Sequence, residues 1–330
     1  CRPRPRKGTA MRSRDVLLLG AALLAACSSP KKIVGDDEPT LATLAGRRVA
    51  VQPDDGPPRD EARAVAAYRA FVAVAPASSP ARAAAQRRLG DLELELAERR
   101  VGDGQAADFD ASITQYQAWL AANPRAGDRD SVLYQLARAQ EGAGQPDAAL
   151  ATLDRLVAAH PVSVHRDEAD FRRGELLFSA RRWADAEAAY ASVLQAGAGN
   201  PWLDRALYMQ GWSRYRQGRW NDALESLFGV LDLKLAAGTP QPLPRAEQEL
   251  VDDSLRVTAL ALEQLQGAAA IDAHVQGERR RGYAWRVYEQ LAALYQRQGR
   301  MRDAGDTYQR LARQQPLSPR VAWARLQVVA

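Results

Sequence analysis

Residues 169–178, Ala169-Asp170-Phe171-Arg172-Arg173-Gly174-Glu175-Leu176-Leu177-Phe178, decide the fold, because their pattern returns 37 positions later as Ala206-Leu207-Tyr208-Met209-Gln210-Gly211-Trp212-Ser213-Arg214-Tyr215. Both stretches are followed by a second match. Trp183, Ala186 and Tyr190 correspond to Trp220, Ala223 and Leu227 at the same spacing. One step upstream the frame gives Tyr134, Ala137, Gly144, Ala149 and Leu153. Self-similarity at a fixed period of this length is the signature of stacked supersecondary units. The composition agrees, since alanine, leucine, arginine, glutamine and glutamate dominate and favour helix.

A further copy lies near the end of the chain, with Tyr288, Leu291, Ala292, Tyr295, Gly299, Ala304, Tyr308 and Pro316. Weaker copies come first. Tyr68, Phe71 and Pro76 read as a second helix, Leu89-Gly90 as a first helix, and Ile113, Tyr116, Trp119 and Pro124 as its partner. These positions resemble the tetratricopeptide repeat over about residues 60–330, with an irregular stretch at 237–283. The resemblance implies an all-α fold, a right-handed superhelical solenoid of helical hairpins. Physically, the small residues at 137, 174, 211 and 292 let two helices approach, and the large ones fill the space between units. A single unit cannot bury its own face, so units must stack. Pro124, Pro161 and Pro316 close second helices, which proline cannot continue. Gly144, Gly218 and Gly299 fall at the turns within hairpins, where a left-handed backbone suits glycine. The segment around Trp323 reads as the first helix of another repeat, so the array is expected to continue.

The start of the chain reads as an address. Met11 is followed by Arg12 and Arg14, then by an uncharged run from Val16 to Ala26. That run is too short for a bilayer span, which takes roughly 20 apolar residues, but it suits the core of a signal peptide. It ends in Leu24-Ala25-Ala26-Cys27, which resembles the lipobox of bacterial lipoproteins. The resemblance implies cleavage before Cys27 and acylation of its sulfur. Ser28 after the cysteine implies sorting to the outer membrane, facing the periplasm. The expected organisation is an upstream extension at 1–10, a signal peptide at 11–26 and a lipid-anchored flexible linker at 27–59. Repeats follow at 60–236, an irregular helical insertion at 237–283 and a last repeat at 284–330. The linker is rich in proline, glycine and charge, and buries too little apolar surface to fold alone. Arg48 to Gln52 alternates weakly, in the manner of one short strand.

The net charge of +5 belongs to the leader, which holds six of the 45 basic residues and one of the 40 acidic ones. The rest is neutral and shows no basic stripe with interleaved aromatics, so nucleic acid is not an expected partner. Beyond Cys1 the only cysteine is Cys27, so no internal disulfide is expected in the mature chain. His160 and His165 share a loop and read as solvated, and His274 stands alone, so no metal or other cofactor is expected. Asp91, Glu93, Glu95 and Glu98 read as a solvated helix face, with Glu95 and Arg99 as an i,i+4 pair. No phosphate loop, nucleophile elbow or cysteine–histidine arrangement points to an enzyme or a small-molecule substrate.

What is left is an aromatic set on the first helices: Tyr134, Phe171, Phe178, Tyr208, Trp212 and Tyr215. In the repeat family the first helices line a groove, which makes these six the candidates for binding protein or peptide partners of the cell envelope. Packing between repeats competes with that role, because large residues at helical spacing usually serve the core. Trp212 is the strongest candidate, since the frame places Arg138 and Glu175 at its position in the neighbouring copies. The charges Arg138, Glu175, Arg205 and Arg216 are expected on the same wall. In style the chain is similar to the repeat lipoprotein of the β-barrel assembly machine and to the Tol–Pal-associated repeat protein. A rival expectation is the non-catalytic N-terminal part of a longer envelope enzyme acting on cell wall or polysaccharide, which the downstream reading frame decides.

Overall fold

The computed structural model describes residues 60–235 and 242–316, with Arg320, Ala322 and Gln327 beyond them. The expectations for the leader, the acylated Cys27, the linker and Trp323 lie outside the described residues. From Asp60 onward the chain is one compact unit. Among the described residues every regular element is a helix. In chain order these are α1 (Glu61–Val74), α2 (Pro80–Gly102), α3 (Asp110–Ala122), α4 (Arg129–Gly142), α5 (Pro146–Ala159) and α6 (Arg166–Ser179). They continue as α7 (Trp183–Leu194), α8 (Leu203–Arg216), α9 (Trp220–Leu235), α10 (Arg245–Glu263), α11 (Ala268–His274), α12 (Glu278–Arg297) and α13 (Met301–Gln314). From α1 to α10 each helix packs on the one before it and the one after it, and α12 pairs with α13. That is a solenoid of antiparallel hairpins.

The hairpins form because a large residue on the second helix meets a hydrogen in place of a side chain on the first. Tyr190 of α7 lies against Gly174 of α6, where an added Cβ would stand 2.4 Å from the ring. Tyr116 of α3 meets Gly90 of α2 in the same way, at 2.9 Å, and Leu227 of α9 meets Gly211 of α8, also at 2.9 Å. Tyr116, Tyr190 and Leu227 are fully buried. Both tyrosines carry their polar end out of the core by one device. The hydroxyl donates to the carboxylate next in sequence to the facing glycine, Tyr116 to Asp91 at 2.8 Å and Tyr190 to Glu175 at 2.6 Å. Burial, followed by the neighbouring carboxylate, pushes both phenol pKa values up.

The turns inside the hairpins also repeat. Gly144, Gly218 and Gly299 have φ of 70°, 73° and 73°. At each, two backbone bonds close the helix end. Gly144 N–H donates to Glu141 and Gln145 N–H to Gln140, while Gly218 and Arg219 reach Tyr215 and Arg214, and Gly299 and Arg300 reach Gln296 and Tyr295. This is the Schellman arrangement, which satisfies carbonyls that the helix leaves over. The same pair of bonds ends α6, but Arg181 stands at the glycine position with φ of 60°.

The stretch 237–283 holds α10, α11 and the start of α12. α10 packs on α9 and on α12, which puts it next in the stack after the third strict copy. The carboxylates of α2 sit on a helix, but Glu93 is 5% exposed and pairs with Arg69 at 2.7 Å. Arg99 bonds Glu61 of α1 at 2.5 Å rather than Glu95. Packing of α1 across α2, which no local pattern announces, draws both charges away from the solvated-face arrangement.

Three stability tests follow from this geometry. Glycine to alanine inside an open helix gains about 0.5–1 kcal/mol. Gly305→Ala in α13, where nothing lies within 4 Å of the new Cβ, should show that gain. Gly174→Ala should instead lose about 1–3 kcal/mol, because the added methyl overpacks a buried ring. Arg181→Gly should gain about 1 kcal/mol by relieving a left-handed non-glycine residue, since the Arg181 side chain is exposed. Chemical denaturation of the three variants beside the parent chain checks all three signs.

Candidate partner-binding face

The first helices of the three strict copies, α4, α6 and α8, carry the six aromatic candidates, and the structure sorts them into three groups. Tyr134 is 6% exposed and stacks flat on His165, with ring centroids 4.5 Å apart and planes 5° apart. The Arg172 guanidinium sits 5.7 Å from the same ring. Burial first, then the hydrogen bond to Glu168, pushes the Tyr134 phenol up to about 12. Phe171 is half-buried, stacked on Trp202 at 4.8 Å and edge-on to Tyr190 at 5.7 Å. His165 and Trp202 each precede a first helix, 37 positions apart, and each covers the aromatic of the preceding copy. Capping of one repeat's aromatic by the next repeat's leading residue therefore recurs.

The third group is the largest. Phe178 meets Trp183 edge-on at 4.7 Å. The Arg216 guanidinium lies 5.4 Å from the Trp183 ring and 5.9 Å from the Trp212 ring. Trp212 meets Tyr215 at 5.6 Å with planes at 90°, and Arg256 of α10 approaches Trp212 at 5.9 Å. Trp212, Tyr215 and Tyr208 are all half-buried. Burial raises the Tyr208 phenol pKa. α6, the start of α7, α8 and α10 thus contribute to one surface cluster of rings and guanidinium groups. Such cation–π contacts draw the guanidinium groups to the rings while leaving their N–H groups free to donate.

The charges expected on this wall differ in availability. Arg138 is tied to Glu98 at 2.5 Å, and Glu175 accepts the Tyr190 hydroxyl. Arg172 bridges Glu141 at 3.0 Å and Glu168 at 3.1 Å. Burial raises the Glu141 pKa, with Arg172 opposing the shift. A cleft of about 310 Å³ opens between Glu141, Phe171, Arg172, Glu175 and Trp202. Arg205 packs over Trp202 at 5.9 Å, and Arg216 lies over its two indoles. Both side chains are exposed, and among the described residues neither guanidinium pairs with a carboxylate, while the Arg205 backbone N–H donates to Asp204 Oδ1 at 2.7 Å.

His165, Trp183, Trp202 and Arg256 are parts of this face that the sequence reading left out of it. The 37-residue frame held the signal for His165 and Trp202, because it aligns them with one another. Arg256 gave no signal, since it lies outside the strict frame. His165 is not a freely solvated loop residue, since its Nε2 is 3.2 Å from the Ser131 hydroxyl and its ring covers Tyr134. Among the described residues no group of three His, Cys, Asp or Glu is placed to hold a metal ion. Nor is any helix there long and apolar enough to cross a membrane.

Comparison with known proteins reaches the same hairpins. Residues 134–201, 205–227 and 287–320 each match a tetratricopeptide repeat family model. No curated protein matches the chain. Among solved structures, the C-terminal part of a TPR repeat-containing protein from Cytophaga hutchinsonii is similar at 13% identity over 80% of this chain and 94% of that one, with a TM-score of 0.45. A tetratricopeptide repeat protein from Parabacteroides merdae gives 14% identity over 82% and 93%, with a TM-score of 0.43. The MamA protein gives 17% identity over 64% and 93%, with a TM-score of 0.42. The 37-residue frame, the paired helices it generates and the three matched segments together establish that this chain carries tetratricopeptide repeats.

Proposed function

We propose that the chain is a lipid-anchored scaffold of the cell envelope, tethered to the outer membrane through Cys27, which binds protein partners on the face formed by α6, α8 and α10. The repeats support a protein-interaction role in the coarse sense, since stacked hairpins present an extended concave surface. The observation that carries the finer reading is the Trp212 cluster. A half-buried indole and phenol lie together at the surface with two exposed guanidinium groups, Arg216 and Arg256, each 5.9 Å from the Trp212 ring. Tryptophan, tyrosine and arginine are the residues that dominate binding energy at protein interfaces. The anchor rests on the sequence alone, on Leu24-Ala25-Ala26-Cys27 after a short apolar run. Two or more acyl chains hold a protein stably, at about 0.8 kcal/mol for each buried methylene.

Each part has its own test. Mass spectrometry of the N-terminal peptide from native membranes should find a chain that starts at acylated Cys27, and Cys27→Ser should move the protein to the soluble fraction. An unmodified cysteine, or retention of residues 11–26, contradicts the anchor. Trp212→Ala should weaken capture of envelope partners by about 2 kcal/mol or more, with the helical signal intact. A large drop in melting temperature with capture unchanged would show that Trp212 serves packing instead.

A further inference from the structure

We infer that the α8 wall selects an acidic peptide segment, seating two of its carboxylates on Arg205 and Arg216. This rests on the binding face proposed above and specifies what that face recognises. Arg205, Tyr208, Trp212 and Arg216 follow one another at spacings of three, four and four along α8, so they form a single stripe on one side of the helix. Arg205 and Arg216 are three turns apart, roughly 16 Å at 1.5 Å per residue. Tyr208 and Trp212 lie between them, half-buried.

The charges around the stripe favour an anion. Arg138 and Arg172 on the neighbouring first helices are consumed by Glu98, Glu141 and Glu168. Arg214 and Arg219 at the end of the same hairpin share Glu187. On α10, which flanks the stripe, Asp253 is paired with Arg256 at 2.8 Å and Asp252 accepts from Gln248. On α6, Glu175 is occupied by Tyr190. Arg205 and Arg216 on the stripe present a guanidinium that pairs with no carboxylate among the described residues, Arg205 5.9 Å from the Trp202 ring and Arg216 5.4 Å from Trp183 and 5.9 Å from Trp212. An arginine held this way has lost little further freedom when it binds, and its planar fork suits a carboxylate in two-point contact. The rings between the two cations offer apolar area to whatever lies between the two anions. In an extended peptide at about 3.3 Å per residue, 16 Å corresponds to about five residues. The fitting segment therefore has two Asp or Glu about five positions apart with apolar or aromatic residues between them.

The test pans a random 12-residue peptide library on the immobilised full chain, with Arg205→Gln, Arg216→Gln and Arg286→Gln chains in parallel. The library should enrich peptides with two acidic residues about five apart on the parent and on Arg286→Gln, whose arginine lies over Trp285, away from the stripe. In fluorescence anisotropy, the best enriched peptide should lose about tenfold in affinity for Arg205→Gln and for Arg216→Gln. It should lose a similar factor when either of its own acids becomes the amide, and should weaken as salt rises. Unchanged melting of the arginine variants confirms that the loss is at the surface. Enrichment of neutral or basic peptides, absence of any enrichment that the two variants diminish, or tighter capture of a single-stranded oligonucleotide by the same two arginines overturns the inference. Enrichment of neutral peptides that Trp212→Ala abolishes removes this inference while leaving the binding face in place. No dependence on Trp212 either removes both.

Discussion

Everything in this structure depends on a large side chain of one helix resting on a backbone with no side chain in the way. Tyr190 on Gly174, Tyr116 on Gly90 and Leu227 on Gly211 set the distance between the two helices of a hairpin. Apolar side chains on the outer surfaces of each hairpin are in turn covered by its neighbours, so that buried clusters run across successive hairpins. Phe171 illustrates the coupling. It belongs to α6, leans on Tyr190 of α7 and is covered by Trp202, which leads into α8. Three successive helices therefore share one contact. The tyrosine hydroxyls avoid a buried polar penalty by reaching Asp91 and Glu175 at the helix edge.

Once the hairpins are stacked, the polar residues divide into those used between repeats and those left over. Arg138–Glu98, Arg172–Glu141 and Arg300–Glu263 join neighbouring first or flanking helices. Partly exposed ion pairs contribute about 0–1 kcal/mol each, so they tune register more than they stabilise. On the α8 stripe the rings of Tyr208 and Trp212 stand between two arginines, Arg205 and Arg216, whose guanidinium groups pair with no carboxylate among the described residues.

Much of this was legible in the sequence because the repeat is strict where packing is strict. Gly174, Gly211, Tyr190 and Leu227 occupy the same frame positions, and the frame follows from the contact they make. The turn glycines were legible too, and Arg181 shows that the frame, more than the residue type, marks the left-handed position. The candidate face was legible only in part. Trp212 stood out because the neighbouring copies hold Arg138 and Glu175 there. That Arg216 would lie between Trp183 and Trp212, or that Arg256 would arrive from α10, depends on how hairpins are rotated against one another. Rotation is set by many small contacts and leaves no period in the sequence. The pairing of Arg99 with Glu61 escaped for the same reason, since an i,i+4 partner was available and a helix from another part of the chain displaced it.

The central claim is that neighbouring hairpins hold one another through these shared aromatic contacts. Native-state hydrogen exchange, resolved by helix and measured on the parent chain and on Tyr190→Ala, tests it most directly. Protection should fall in α6 and α7, and also in α4, α5, α8 and α9, while α12 and α13 keep theirs. A loss confined to α6 and α7, with the adjoining helices as protected as before, would contradict the claim.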